Sequence, residues 1–544
     1  MIACARPSED ASIPGFDPAD IPLEQRRIGP VLSMRARTDA DRPFLTIGGR
    51  TYTFRETDRQ ARALARGLAR RGLERQQYLA MMLPNCSEFV FAWFACALLG
   101  AANVPLNTAL RGPMLDLPFK DSGARGLIID RALVDAIGTL SEEVRGQLDW
   151  VAVWGGLEGL ALPAGPKEYL DYRDLPLADG PDPERETDFR DVQTVFYTSG
   201  TTGPAKGVQT LNAHQFSTAS GFVRAVGLTR DDVVYTPYPL FHAFAARLAV
   251  LPSLLAGAQV HVGARFSASR FWEQAAQCGA TVAQITPGTS RILFERPPGP
   301  HDRAHRLRAL FNTRADAAFE ERFGVRLVEA FSMSETGLVI YTRWPERRPG
   351  SMGRVHEDWQ AQLVDDKDLP VPAGQPGQLV VRPRLPYIMM QGYLNRPEAT
   401  VAAFRNLWLH TGDIMRQDED GYFYFVDRAK ERIRRRGENI SSYDIEQAAG
   451  AHPDVMECAA LPHPARDGED DVRLVAVKAA DASLTAAQLA DWLAERLPRS
   501  MVPRYVEFLP SLPRTQTDKV EKVRLIQAGL SAAAWDREAG GAAP

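Results

Sequence analysis

Short β-prone runs alternate with helical patterns through the N-terminal half of this chain, and that rhythm restricts its fold more than any other feature. Over 57–73, Ala and Leu recur at helical spacing among arginines, 78–83 reads as a short buried strand, and the apolar stretch 89–100 reads as a buried helix beside the turn Leu83-Pro84-Asn85. β-prone runs next to helical patterns return at 124–129, 194–197, 259–262 and 281–285. Such alternation selects an α/β architecture with parallel sheets, because a parallel pair needs a long crossover connection, usually a helix. No tandem repeat at solenoid periods competes with this reading.

At 544 residues the chain is too long for one hydrophobic core, so at least two domains are expected. A segment rich in Pro, Gly and Asp, 163–188, reads as a surface excursion, and PVPAGQPGQLVVR, 370–382, reads as a tight turn feeding a strand of a small β-rich subregion. The charged stretch DRAKERIRRR, 427–436, separates GYFYFV from a helix-rich remainder with strands of its own, such as 473–477. It reads equally as an exposed interdomain linker or a charged helix start. The tail after Leu530, SAAAWDREAGGAAP, is expected to be disordered.

Composition removes several function classes. A formal net charge of -4, with only a short Arg run at 432–436 flanked by Glu431 and Glu438, gives no basic field for nucleic acid. Five cysteines, Cys4, Cys86, Cys96, Cys278 and Cys458, without CxxC spacing, argue against a disulfide framework and a zinc site. The N-terminus MIACARPSED lacks the apolar stretch of a secretory signal, and no run reaches the roughly 18 apolar residues of a membrane span. A cytoplasmic protein is expected.

The sharpest local signal is YTSGTTGPAKG, 197–207, directly after the apolar run 192–196. Glycines and small hydroxyl residues let backbone N–H groups and hydroxyls wrap a polyphosphate, with the lysine adding positive charge at the far end. It is not a Walker loop, in which Gly-Lys is followed by Ser or Thr; here Ala205 precedes Lys206 and Gly207 follows.

This string resembles the signature of the acyl-adenylate-forming superfamily: acyl-CoA synthetases, peptide-synthetase adenylation domains and luciferases. Further stretches similar to family motifs follow in family order, from TYTFRETD at Thr51 to TDKVEKVRL ending at Leu525, so the resemblance spans nearly the whole chain. It implies an α/β fold: a large N-terminal AMP-binding domain, 1–428, with parallel and mixed sheets flanked by helices and a small β-rich subdomain, then a small mobile α+β C-terminal lid, 429–544.

The same resemblance implies site residues. Thr198, Ser199, Gly200, Thr201, Thr202, Gly203 and Lys206 would hold the ATP phosphates. In EAFSMSETG, Phe331 would stack on adenine, with Ser332 and Met333 beside it, Ser334 would contact phosphate or acyl carboxylate, and Glu335 would ligate Mg2+. Two departures are that Phe331-Ser332 stands where Tyr-Gly is commoner, and that FNTRAD, 311–316, lacks the usual Gly-Gly-Ala-Pro. Asp413 would accept the ribose hydroxyls and Arg428 would reach ribose or phosphate, a carboxylate being a natural acceptor for a vicinal diol. Lys430 falls at the hinge, Arg436, Gly437 and Glu438 at the CoA tunnel, and Lys519 at the catalytic lysine, with Asp518 where Gly is usual. His242, Thr286, Gly288, Met333 and Gly337 would line the acyl pocket, while Arg247 faces either a second anionic group or solvent. RFGVRLVEAFSMSET and RRGENIS most resemble the crotonobetaine/carnitine–CoA ligase branch.

The activity implied has two half-reactions. A carboxylate attacks ATP to give acyl-AMP and pyrophosphate, then CoA takes the acyl group and releases AMP, with Thr198, Glu335 and Lys519 stabilising charge in the first. Partners are a small carboxylate, ATP and CoA; an acyl carrier protein as alternative acceptor and a homodimer stay open.

Overall fold

The computed structural model describes residues 21–182, 186–198, 205–311, 315–428, 433–435, 438–440, 442–465, 470–480, 482–514, 520–539 and 541–542. They group into two compact units, one built from residues up to Thr198 with Lys206–Trp359 and Pro383–Thr400, the other from Gln360–Arg382 and from Val401 onward.

The first unit contains two large sheets. One runs in the order Gly392–Tyr393, Lys206–Leu211, Val192–Thr198, Ala102–Pro105, Tyr78–Met82, Gly126–Asp130, Trp150–Trp154, Tyr169–Asp171. Its strands are parallel from Val192–Thr198 to Tyr169–Asp171, whereas Lys206–Leu211 returns antiparallel beside Val192–Thr198. The other runs Arg326–Val328, Ala309–Phe311, Val282–Gln284, Val233–Thr236, Gln259–Val262, Pro43–Ile47, Arg50–Thr53, parallel except for the last hairpin.

Helices pack between these sheets. Phe54–Arg70 opens on a capping box, Thr53 Oγ1 accepting from Glu56 N at 3.1 Å and Glu56 Oε2 from Thr53 N at 2.9 Å. Ser87–Leu99 is apolar almost all round and nearly every residue in it is buried, as suits a helix covered on all sides. One continuous core joins side chains of both sheets, including Phe196, Met81, Val260 and Phe311, to these helices and to Asn212–Val226. The 163–188 segment is more than an excursion. Tyr169–Asp171 adds an edge strand, and Leu175 sits so close to the first of these helices that a Cβ on Gly67 would lie 1.6 Å from its carbonyl oxygen.

In the second unit, Trp359–Val364, Pro376–Pro383, Trp408–Gln417, Phe404–Arg405 and Phe423–Arg428 make a β-rich sheet. Its last strand ends at Arg428, residues 429–432 lie outside those described, and the sheet groups with the residues that follow. Part of the charged stretch is neither linker nor helix: Ile433–Arg435 pairs antiparallel with Glu438–Ile440. A second sheet, Val455–Pro464, Asp470–Lys478, Tyr505–Phe508, Trp535–Asp536 and Gly541–Ala542, packs with helices Ser442–Gly450 and Ala486–Ala494 around an apolar core. The tail expected to be disordered after Leu530 is therefore ordered over its described part. Trp535–Asp536 pairs with Tyr505–Phe508, and Asp536 accepts from Arg504 Nη2 at 3.1 Å. Among the described residues, no helix is long and apolar enough to cross a membrane.

Candidate active site

The phosphate-loop candidate is held at a strand mouth. Val192–Thr198 and Lys206–Leu211 pair antiparallel with Thr198 opposite Lys206, and Thr198 Oγ1 donates to the Lys206 carbonyl at 3.4 Å. Ser199, Gly200, Thr201, Thr202 and Gly203 lie outside the described residues. The preceding Tyr197 donates to Asp121 Oδ2 at 3.4 Å, and Arg396 pairs with the same carboxylate at 3.1 Å. Burial raises the Asp121 pKa and Arg396 opposes it. Lys206 lays its ammonium over the ring of Tyr393, 4.7 Å from the centroid.

Strand Ala330–Met333 turns back into Gly337–Tyr341 with a register shift between Phe331 and Ser332. Phe331 is buried, Ser332 is exposed, and Met333 and Ser334 are half-buried at the turn. Glu335 is 9% exposed, accepts from the Tyr393 hydroxyl on Oε1 at 2.9 Å, and its carbonyl accepts from Met390 N at 2.8 Å. Its Oε2 has no hydrogen-bond partner among the described residues. Burial, and then the Glu335 charge, push the Tyr393 phenol up, so it remains a donor.

Behind this turn lies Arg247, 1% exposed, in the π-turn Ala246–Val250. Such a turn frees carbonyls from the α-helical ladder. Gln284 Nε2 takes up two of them, Phe244 at 2.9 Å and Leu248 at 3.1 Å. The guanidinium donates to Ser334 O at 3.1 Å, Thr218 Oγ1 at 2.5 Å and His214 Nε2 at 2.7 Å. Of the two orientations open to Arg247 on sequence, the solvent-facing one is therefore wrong: a buried guanidinium needs acceptors, and these are supplied from inside the fold. Burial brings its pKa down to about 9, opposed by the charge of Glu335, and burial followed by Arg247 holds His214 well below its ordinary value. Gly337, at φ 73°, is fixed by the same cluster, since a Cβ there would lie 2.0 Å from Thr218 Oγ1.

The remaining acyl-pocket candidates stand on neighbouring elements. His242 caps the short helix Ala243–Ala245, its Nδ1 accepting from Phe244 N at 3.2 Å. Thr286 caps Pro287–Glu295, and Thr289 Oγ1 lies 2.6 Å from the Tyr238 hydroxyl, whose ring meets Phe244 edge-on at 5.2 Å. A Cβ built on Gly288 would meet no atom within 4 Å.

In the second unit, Asp413 is 4% exposed and stands opposite Arg428 in the ladder. Lys430, Arg436, Gly437 and Lys519 lie outside the described residues; of Arg428 and Glu438 only the strand backbone is described. Lys522, three residues beyond Lys519, is engaged: its Nζ lies 2.8 Å from Glu446 Oε1 and 2.9 Å from Ser442 Oγ. Among the described residues no three His, Cys, Asp or Glu side chains cluster as a metal cage. A carboxylate with one oxygen unbonded among the described residues fits a hard cation held mainly by substrate phosphates and water. Sequence reading missed Tyr393 and the support of Arg247 because their partners Glu335 and Ser334 are 58 and 87 positions away.

Residues 32–394 match the AMP-binding enzyme family, and 444–519 its C-terminal domain family. The crotonobetaine/carnitine–CoA ligase of Salmonella paratyphi C (strain RKS4594) is 31% identical over 465 residues, covering 84% of this chain and 89% of that protein; the Salmonella typhimurium LT2 protein of the same description gives the same figures. Among solved structures, the anthranilate–CoA ligase AuaEII with anthranoyl-AMP aligns with TM-score 0.83 at 24% identity, over 94% of this chain and 99% of that one. ATP-bound MatB from Rhodopseudomonas palustris gives 0.80 at 24%, over 92% and 99%. Both share the α/β fold described above. The chain belongs to the AMP-binding enzyme family, the acyl-adenylate-forming proteins its motifs resemble.

Proposed function

We propose that the protein is an AMP-forming carboxylic acid–CoA ligase. The observation that carries this reading is the pair Lys206 and Glu335, a phosphate-loop ammonium and a carboxylate with one oxygen unbonded among the described residues, gathered around Tyr393. The relatives' description as CoA ligases supports CoA over an acyl carrier protein as the acceptor.

The substrate carboxylate attacks the α-phosphorus of ATP and pyrophosphate leaves. Thr198 and Lys206, with the loop between them, bind the polyphosphate. Lys519 neutralises charge that builds at the transferring phosphorus, since such reactions gain most from positioning and charge stabilisation. Asp413 accepts the ribose hydroxyls, Arg428 assists, and Phe331 stacks on adenine. Glu335 would hold Mg2+, which supplies positive charge to the phosphates when bound. The C-terminal domain then turns about Lys430, bringing Arg436, Gly437 and Glu438 to the pantetheine path. The CoA thiol attacks the acyl carbonyl, the C–O bond to AMP breaks, and the thioester and AMP leave.

His242, Thr286, Gly288, Met333 and Gly337 face the acyl group. The test is carboxylate-dependent ATP–pyrophosphate exchange over short, medium, aromatic and betaine acids, repeated as CoA-dependent AMP release. Exchange with at least one acid and release on adding CoA are expected. No exchange with any acid would point to a noncatalytic nucleotide binder, and exchange without CoA-dependent release would point to a carrier protein.

A further inference from the structure

Two opposite charges share one aromatic side chain at this site. Lys206 Nζ is 4.7 Å from the Tyr393 ring centroid, and the hydroxyl of the same ring donates to Glu335 Oε1 at 2.9 Å. Among the described residues, no ion pair joins Lys206 to Glu335. Each charge instead has its own contact on the one side chain, the ammonium at the ring face and the carboxylate at the hydroxyl. A ring offers the ammonium a favourable face, and a phenol offers the carboxylate a donor, while neither removes the charge.

The backbone fixes the ring from both sides. Tyr393 stands opposite Val208 in the strand that begins at Lys206, Leu394 N donates to Gly207 O at 2.8 Å, and Gln391 N to Gln209 O at 2.9 Å. Met390 N donates to the carbonyl of Glu335 at 2.8 Å, and Tyr393 N to Thr400 Oγ1 at 2.9 Å. One five-residue segment is thus bonded to the strand of the cation and to the residue of the anion.

We propose that Tyr393 is a positioning residue that holds Lys206 and Glu335 apart as separate charges, leaving the ammonium for the polyphosphate and the second carboxylate oxygen for the divalent cation. The inference rests on the reading of Glu335 as the metal-facing carboxylate. It divides the side chain into two functions: the hydroxyl serves Glu335, and the ring serves Lys206.

The test uses the full chain with Tyr393→Phe, Tyr393→Leu and, as reference, Glu335→Gln. Two affinities are read: Mn2+ in the presence of α,β-methylene-ATP, from the electron-paramagnetic-resonance signal of free Mn2+, and α,β-methylene-ATP alone without metal, by calorimetry. Tyr393→Phe should weaken Mn2+ on the order of tenfold, the loss of a hydrogen bond to a charged group, and leave metal-free nucleotide binding within about twofold. Tyr393→Leu should weaken both, because it removes the ring face beneath the ammonium as well as the donor to the carboxylate. Unchanged Mn2+ affinity in Tyr393→Phe, with loss in Glu335→Gln, would overturn the role of Tyr393 and leave that of Glu335 intact. Unchanged Mn2+ affinity in Glu335→Gln would overturn both. Equal weakening of both affinities in Tyr393→Phe, with a lowered melting temperature, would make the tyrosine merely structural and also overturn the proposal.

Discussion

Lys522 is held by partners within its own unit. With Glu446 at 2.8 Å and Ser442 Oγ at 2.9 Å, its ammonium already has its partners, and Ser442 in turn donates from N to Asp427 at 2.7 Å. Lys522→Ala should therefore lower stability and spare adenylation. Lys519→Ala should cost adenylation about 2.7 to 4 kcal/mol and leave conversion of supplied acyl-AMP and CoA to thioester largely intact. Adenylation rates of the two variants decide it; a normal Lys519→Ala beside a dead Lys522→Ala would reverse the assignment. Glu329 gives a second prediction. Burial pushes its carboxyl up from an ordinary value of 4.5 to about 7, against the donated Gly350 N–H at 2.9 Å. In that window the unfolded chain has released the proton and the folded one keeps it, so stability falls as pH rises from about 4.5 to 7. Melting temperature across those pH values should fall more steeply for the native protein than for Glu329→Gln. Glu335 was singled out in the sequence because its motif is contiguous, while its bond to Tyr393 was not legible. The acceptors of Arg247 were not either, since two come from the helix Asn212–Val226 and a third from Ser334, positions no local pattern connects.

At the scale of elements, the buried strands were the most legible. The readings 78–83 and 259–262 correspond to strands Tyr78–Met82 and Gln259–Val262, because apolar β-prone runs next to helices leave little choice. The shortest strands were not: Tyr169–Asp171, Ile433–Arg435 and Trp535–Asp536 are two or three residues long, and what makes them strands is a partner elsewhere in the chain. The hairpin Ala330–Met333 to Gly337–Tyr341 depends on a glycine for a similar nonlocal reason. Gly337→Ala would drive a methyl against Thr218 Oγ1, 2.0 Å from the Cβ position, at a left-handed φ of 73°. Overpacking of this kind costs about 1 to 3 kcal/mol before the backbone strain is added. Denaturant unfolding should register that loss, and the double variant Gly337→Ala with Thr218→Ala should recover part of it; no recovery would mean that the strain lies in the backbone alone.

At the scale of the whole molecule, the two-step chemistry asks more of the chain than the site in either unit. Lys430→Pro should preserve acyl-AMP formation and block thioester formation, because proline fixes φ near about -65° and opposes a rotation centred there. Equal loss of both half-reactions, measured separately, would count against a hinge at this residue. That the chain forms more than one unit was legible from its length, whereas the grouping of Gln360–Arg382 and of the residues from Val401 with the later ones was not, since it depends on sheet pairing between segments far apart. The central claim is that an acyl-AMP joins the two steps, and an oxygen label tests it most directly. With a carboxylate bearing 18O in both oxygens, attack on the α-phosphorus leaves one labelled oxygen bridging acyl group and phosphorus, and thiolysis at carbon leaves it with the nucleotide. Mass spectrometry of AMP released in the presence of CoA should find one 18O per AMP formed; unlabelled AMP, or ADP as the nucleotide product, would contradict the account.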